Sequence, residues 1–178
     1  ADIAPYRDAG TVETVRANLE GAKYTLATNE HGAALGLSDF SNIKDQKDAL
    51  GGKIYGIEPG NDGNRLVMDV IADAKFGLDG FEIVESSEQG MLAEVAKATS
   101  DGRPIVFLAW EPHPMNANFK LTYLTGGDDY FGPNFGGATI YTNTRKGYVG
   151  ECPNTGKLLQ NLEFSLPAGD LRYARANY

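Results

Sequence analysis

The chain has 178 residues, of which 42% are hydrophobic and 22% charged, the composition of an ordinary globular protein. Its net charge of −8 argues against phosphate-backbone binding, which needs a basic face, and no apolar run is long enough to span a membrane. The first residues, ADIAPYRDAG, lack the basic and apolar regions of a signal peptide, which predicts a cytosolic chain, a removed export signal or a missing start.

Strand and helix patterns alternate between residues 20 and 114. Strands are predicted at residues 23–28 (KYTLAT), 53–57 (KIYGI), 81–84 (FEIV) and 104–109 (PIVFLA). Helices are predicted at residues 41–50, capped by Ser41 and ended by two glycines, at residues 64–76, and at residues 87–99, capped by Ser87. This order indicates βαβ units and a mostly parallel sheet, in which the continuous apolar run 104–109 is covered on both faces.

The remainder of the chain is richer in Gly, Asn and Tyr and has fewer predicted elements. A strand at residues 138–142, a short helical turn and a helix from about residue 154 to 162 are expected there. These are too few for an independent domain, so this segment is predicted to belong to another lobe.

Three stretches lie near the ends of predicted strands, where open α/β sheets bind ligands. The first, residues 58–64 (EPGNDGN), is either a helix-capping turn or a loop that exposes backbone and carboxamides, and it lacks the patterns of phosphate and dinucleotide loops. The second ends on Trp110, the sole tryptophan, which either packs at the sheet edge or forms an aromatic wall. The third places Tyr24 at the start of the first strand. An indole face attracts an organic cation, so one interpretation is that Trp110 and Tyr24 together form a binding site for an organic cation.

Catalytic and metal sites have little support in the sequence. His31 and His113 are isolated, and Glu111 beside His113 does not give the three ligands that zinc needs. No G-x-S-x-G motif occurs, and Cys152 has no basic residue beside it in the sequence that would activate it as a nucleophile. We therefore expect no cofactor, no metal and no enzymatic activity. The alternative from this class is a small hydrolase or metal enzyme that uses Glu111, His113 and His31.

Several longer motifs occur in a specific order: GAKYTLAT, GGKIYGIEPGNDGNRL, ESSEQGMLAEVA, VFLAWEPHPMNANFKLTYLTGGDD, FGPNFGGATI and ECPNTGKLLQNL. With them the chain resembles, over roughly residues 1–166, the choline-binding proteins of bacterial ABC importers, within the glycine betaine/choline/proline betaine group of substrate-binding proteins. The resemblance implies an α/β, type II periplasmic binding protein fold whose two lobes close on choline and deliver it to a membrane permease. Tyr24 and Trp110 match members of the family's aromatic box, and Asn61 matches a residue that contacts the ligand's hydroxyl end.

The same resemblance implies a part that this chain does not contain. The family has a further N-terminal segment with other aromatic walls and an aspartate of the ligand site, and Cys152 matches a cysteine that is disulfide-bonded to that segment. The chain is thus expected to be a fragment or a naturally short relative of an exported, periplasmic protein, with self-association possible through the incomplete lobe. The tail LPAGDLRYARANY departs from the family pattern.

The predicted organisation has three parts. Residues 1–19 are a lead-in and part of the first lobe, residues 20–114 are a complete ligand-binding lobe, and residues 115–178 return to the incomplete first lobe. The predicted ligand-binding residues are Trp110, Tyr24 and Asn61. Choline is the expected ligand, and the open alternatives are glycine betaine or another betaine, or a truncated lobe that binds little by itself.

Overall fold

The computed structural model describes residues 3–166 as an α/β fold around a six-stranded mixed sheet. The strands are β1 (Val12–Asn29), β2 (Lys53–Tyr55), β3 (Glu82–Val84), β4 (Val106–Glu111), β5 (Leu121–Tyr123) and β6 (Ala138–Arg145). The helices are α1 (Ala4–Asp8), α2 (Glu30–Ala34), α3 (Lys47–Leu50), α4 (Asp62–Ala72), α5 (Glu88–Ser100), α6 (Met115–Asn118), α7 (Asp128–Phe131), α8 (Pro133–Gly136), α9 (Tyr148–Glu151) and α10 (Pro153–Asn161).

The central strand of the sheet is β4, within the order β3-β2-β4-β1-β5. Its residues 106–109 are completely buried, as the continuous apolar run predicted, because β4 has strands on both sides and helices cover the sheet. Strands β2, β3 and β4 are parallel and joined by α4 and α5, which confirms the predicted βαβ units. Strand β1 is antiparallel to β4 and β5, so the complete sheet is mixed.

Strand β1 is three times as long as the predicted strand 23–28, with 18 residues. Its second half pairs with β4 and β5 over the buried core, and its first half pairs with β6 alone, with three register shifts. The first half escapes prediction because most of its residues are only partly buried and apolar and polar residues do not alternate clearly along it.

The predicted helix 41–50 is only partly correct. The chain forms two 3₁₀ turns, Phe40–Asn42 and Lys44–Gln46, before α3. Phe40 and Ile43 are both fully buried at a spacing of three, which suits the three residues per turn of a 3₁₀ helix. The predicted Ser41 cap is wrong: the Asp39 carboxylate accepts the Ser41 N–H at 2.9 Å and therefore caps the segment two residues earlier.

Helices α4 and α5 lie close to their predicted positions, and the side chains that cap them explain where they start. Helix α5 is capped by Ser87, whose hydroxyl accepts the Gly90 N–H at 3.0 Å, as predicted. Helix α4 is capped by Asn61, so it begins two residues before the predicted start at residue 64. It also ends at Ala72, because Asp73 is extended, although Phe76 still packs into the core.

One apolar core holds this arrangement together, and it runs from Leu26 to Leu124. The core includes Met115 and Leu124, which lie beyond residue 114, the predicted end of the ligand-binding lobe. The division of the chain into three parts stays a prediction. Residues 1–2 of the predicted lead-in and residues 167–178 of the return segment lie outside the described residues. Among residues 3–166, no helix combines the length and apolar character needed to cross a membrane.

Candidate functional site

Tyr24 and Trp110, together called the aromatic pair below, lie directly opposite each other on β1 and β4. Opposed residues of an antiparallel ladder point to the same face of the sheet, so the two rings are neighbours. Their centroids are 6.3 Å apart and their planes are tilted by 53°. Both side chains are partly buried, which leaves some ring surface exposed at this end of the strands. The sequence could not show this pairing, because it did not reveal that β1 is antiparallel to β4.

Asn61 joins the aromatic pair through a hydrogen bond from the Tyr24 hydroxyl to its Oδ1, at 3.0 Å. The same oxygen accepts the Gly63 N–H at 2.8 Å, since Asn61 is the cap of α4. A backbone N–H can only donate, so the amide oxygen must face the helix and the amide nitrogen must face away from it. The helix-capping alternative for residues 58–64 is therefore correct for Asn61, and the same side chain also contacts Tyr24, with its Nδ2–H groups left as donors.

Gly63 permits the close approach of α4 to Tyr24. A Cβ at this position would lie 2.1 Å from the Tyr24 hydroxyl oxygen and 2.6 Å from a methyl carbon of Leu108. Real Cβ atoms do not reach such distances, so only glycine fits without movement of Tyr24. This residue belongs to the loop 58–64, but nothing in the sequence identifies it as the one that faces Tyr24.

The loop 58–64 is fixed from below by Asn64, which is almost fully buried. Its Oδ1 accepts the Ile57 N–H at 2.9 Å, and its Nδ2 donates to the carbonyls of Ile57 and Glu58 and to the carboxylate of Glu85. A buried carboxamide whose oxygen and nitrogen are both hydrogen-bonded in this way fixes the backbone around it. Asn61 is therefore presented by a rigid turn.

Two further residues support Tyr24 from behind and were not predicted. The Phe131 ring meets the Tyr24 ring edge-on, with centroids 6.2 Å apart, and it also packs on Phe40. Gly136, with a φ of 67°, lies so close to β1 that a Cβ there would be 2.2 Å from the Tyr24 carbonyl oxygen. Both belong to the motif FGPNFGGATI, so the motif supplies packing behind the aromatic pair.

The electrostatics around the aromatic pair favour a cation. Burial raises the pKa of the Tyr24 hydroxyl, and the negative charge of Asp62 raises it further, so Tyr24 stays a neutral hydrogen-bond donor. The chain's own nearby cation, Lys23, lies on the opposite face because side chains alternate along a strand. Its ammonium pairs with Glu111 at 3.1 Å and lies 4.9 Å from the centre of the Tyr123 ring.

The alternative catalytic group of Glu111, His113 and His31 is not assembled. Glu111 pairs with Lys23 at one end of the β1–β4 ladder, whereas His31 follows Asn29 at the other end, about 20 Å away at the rise of a strand. His113 bonds to Glu88 and Met115 rather than to either of them. Among residues 3–166, no three His, Cys, Asp or Glu side chains form a group that could hold a metal ion.

Comparison with known families gives a match over most of the chain. Residues 3–177 match the family described as the substrate binding domain of ABC-type glycine betaine transport system. Its members are substrate-binding domains rather than enzymes, which agrees with the expected lack of catalysis.

Individual relatives agree with this match. A solved ABC-transporter choline binding protein in complex with choline is 66% identical, with a TM-score of 0.78, over 98% of this chain and 61% of its own. The lactococcal OpuAC structure in complex with glycine betaine shows the same fold at 23% identity, with a TM-score of 0.72, over 97% of this chain and 65% of its own. The glycine betaine/carnitine transport binding protein GbuC of Listeria monocytogenes is 29% identical over 70% of this chain and 41% of its own length. The chain thus spans about two fifths to two thirds of the relatives that it matches.

Proposed function

The chain belongs to the family of substrate-binding domains of ABC-type glycine betaine transport systems, and on this basis we propose that it captures choline for an ABC importer. The observation that carries the proposal is the aromatic pair, with Asn61 hydrogen-bonded beside it. Capture rather than catalysis is the mechanism, since no group of the site is arranged to transfer a proton or to attack a bond.

The aromatic pair is suited to the trimethylammonium end of choline. This group carries a positive charge and no N–H, so it interacts with ring faces through cation–π attraction and dispersion instead of hydrogen bonds. The two rings belong to adjacent strands that pair with each other over six residues, so little conformational entropy is lost when they hold the ligand. Asp62 adds a negative charge at the same end of the sheet.

Asn61 is suited to the hydroxyl end. Its Oδ1 is already engaged by Gly63 and Tyr24, and its Nδ2–H groups are directed away from the helix, where the oxygen of a bound alcohol can accept them. One such hydrogen bond contributes about 1 kcal/mol. It also fixes the orientation of the ligand, because it lies at a defined distance from the two rings.

Choline is favoured over glycine betaine by the start of α4. A betaine carboxylate needs N–H donors or a positive charge, and a helix N-terminus can supply them. Here the Gly63 N–H is already taken by Asn61, and the first residue of the helix is the acidic Asp62. A second carboxylate at this end would be repelled, whereas the hydroxyl of choline would not.

The expected affinity follows from these contacts. Two cation–π contacts of up to ~2 kcal/mol each and one hydrogen bond of ~1 kcal/mol give at most ~5 kcal/mol, a Kd of roughly 0.2 mM. The loss of ligand freedom on binding reduces this energy and raises the Kd, so we expect this chain to bind choline in the millimolar range. Tighter binding would require walls beyond the three residues.

Calorimetric titration with choline and with glycine betaine, up to about ten times the expected Kd, tests the proposal, together with the thermal shift that mass action predicts for a binder. Trp110→Ala should weaken choline binding, and Leu158→Ala, at an exposed position on α10, serves as the matched control. Stronger binding of the betaine would reject choline as the ligand. No heat and no thermal shift at these concentrations would instead support the truncated, non-binding lobe.

The role in transport follows the same proposal. Residues 20–114 act as one lobe, which closes against the other lobe once the ligand contacts both, and only such differential contact can shift the equilibrium to the closed form. The closed form then docks on the membrane permease from the periplasm. Substrate-binding domains of ABC importers lie outside the cytoplasmic membrane, and the periplasmic assignment is the more specific part of the proposal.

Self-association is proposed through β6. Within residues 3–166 this strand pairs on one side only, with β1, and it exposes Ile140 and Tyr141 to 43% and 48%. An open strand edge with apolar side chains is a template for pairing with another chain. Analytical ultracentrifugation should show a concentration-dependent dimer that Tyr141→Lys weakens, and a monomer at all concentrations would reject this part of the proposal.

A further inference from the structure

The ring of His113 packs edge-on against the ring of Trp110, with centroids 4.9 Å apart and planes 61° apart. It is a closer aromatic neighbour of Trp110 than Tyr24 is. We propose that His113 is a positioning residue for choline binding: it holds Trp110 in place and links it to the loop that carries Asn61. The inference rests on the proposed function and goes beyond it by assigning a role to a residue that does not itself form a wall.

Both ring nitrogens of His113 have defined partners. Nδ1 accepts the Met115 N–H at 3.1 Å, and a backbone N–H can only donate, so Nδ1 carries no proton. The proton is therefore on Nε2, which donates to the Glu88 carboxylate at 3.1 Å. With both nitrogens bonded and only 14% of the side chain exposed, the ring is held in one orientation beside Trp110.

The backbone around Trp110 is held by the same turn. The carboxamide of Asn116 donates to the carbonyl of Trp110 and to the carbonyl of His113, both at 2.9 Å. The Asn116 oxygen in turn accepts the Tyr123 hydroxyl at 2.8 Å. Trp110 therefore has its main chain fixed by Asn116, and the edge of its ring is contacted by His113.

Glu88 connects this turn to the other half of the site. Its carboxylate accepts from His113, and its own N–H, at the start of α5, donates to the Glu58 carboxylate at 3.1 Å. This bond lowers the pKa of Glu58, which stays charged. The Glu58 carbonyl accepts the Asn61 N–H at 3.1 Å, so a continuous chain of contacts runs from Trp110 through His113, Glu88 and Glu58 to Asn61.

The consequence is that the wall for the ammonium and the donor for the hydroxyl are set relative to each other. Choline is short, so both ends bind only if this separation is right, and a shift of one residue reduces the contacts made at the other. Loss of the link is expected to weaken choline binding without unfolding the sheet, because the aromatic pair belongs to a ladder that does not contain His113.

The test uses the fluorescence of Trp110, which is the sole tryptophan of the chain and reports its own surroundings. His113→Leu should change the emission of the ligand-free protein and weaken choline binding about tenfold. His113→Gln, whose amide N–H replaces Nε2–H toward Glu88, should restore most of the affinity. His31→Gln is the control, since that histidine contacts the Thr99 carbonyl instead, and it should change neither quantity.

A second pair of variants addresses the link if His113→Leu fails to fold. Glu88→Ala removes the acceptor for His113 and should reproduce the change in emission and affinity, whereas Glu88→Gln keeps an acceptor oxygen and should not. Unchanged emission and affinity in either His113→Leu or Glu88→Ala would overturn the inference. Failure of the native chain to bind choline would reject the proposed function instead, and the emission of the ligand-free variants would still decide whether His113 holds Trp110.

Discussion

Replacement of Gly63 by alanine tests how the start of α4 positions Tyr24. The new Cβ would lie 2.1 Å from the Tyr24 hydroxyl oxygen, where ordinary contact begins at 3.4 Å, so the ring must move by roughly 1 Å. Overpacking of this kind costs about 1–3 kcal/mol, and the better helix propensity of alanine returns up to about 1 kcal/mol. We expect a net loss of about 1–2 kcal/mol in the free energy of unfolding and a choline affinity about tenfold weaker, because the displaced ring is half of the aromatic pair.

The measurement combines urea unfolding with calorimetric titration of choline. Gly150→Ala is the matched control, since Gly150 also lies in a helix but a Cβ added there would meet no atom within 4 Å, so alanine should be neutral or stabilising at that position. If Gly63→Ala binds choline as tightly as the native chain and unfolds at the same urea concentration, the close packing of α4 on Tyr24 does not position the site.

Three further predictions concern the aromatic pair and a second tyrosine. Trp110→Ala should weaken choline binding about 10- to 30-fold in calorimetry, the loss of one cation–π contact, and an unchanged Kd would contradict the proposed wall. Tyr24→Phe keeps the ring and loses only the bond to Asn61, so it should cost about 1 kcal/mol of stability or less and weaken binding less than Trp110→Ala does, with the opposite order refuting the assignment. The hydrogen bond to Asp73 raises the pKa of Tyr130 from 10.0 to about 12, so its contribution to stability is complete below pH 10 and is lost as the pH rises to about 12. Tyr130→Phe should therefore lose less stability than the native chain between pH 10 and 12 in chemical unfolding, and equal losses would show that the bond does not matter.

Those parts of the fold that depend on burial could be predicted from the sequence. The run 104–109 is apolar at every position because β4 is covered on both faces, and such a run has few other interpretations. Ser87 precedes a helix that it does cap. The first half of β1 could not be found, because it pairs only with β6 and most of its residues are only partly buried, so burial selects no regular pattern of apolar residues there. The 3₁₀ turns around Phe40 depend on contacts with Thr125, far along the chain, which local propensity does not report.

The site shows the same division. Trp110 and Asn61 were identified by their position at strand ends and by a resemblance, and the structure brings them and Tyr24 together, while their contact with a ligand stays a prediction. Phe131 and His113 were not assigned to the site. Their contribution depends on which side chains meet across elements that are distant in sequence, and no spacing within one segment encodes such a meeting.

The register of β1 on β4 keeps the Lys23 ammonium on the face of the sheet opposite to the aromatic pair. Tyr24 faces Trp110, and the next pair along the ladder, Lys23 and Glu111, points to the opposite face. On that face the Lys23 ammonium is already neutralised by Glu111 and lies against the Tyr123 ring. A slip of one residue would exchange the faces and place a lysine beside Trp110, where its positive charge would compete with a ligand cation. The same alternation that buries the sheet therefore keeps the chain's own ammonium away from the aromatic pair, so this surface remains available to a cation from solution.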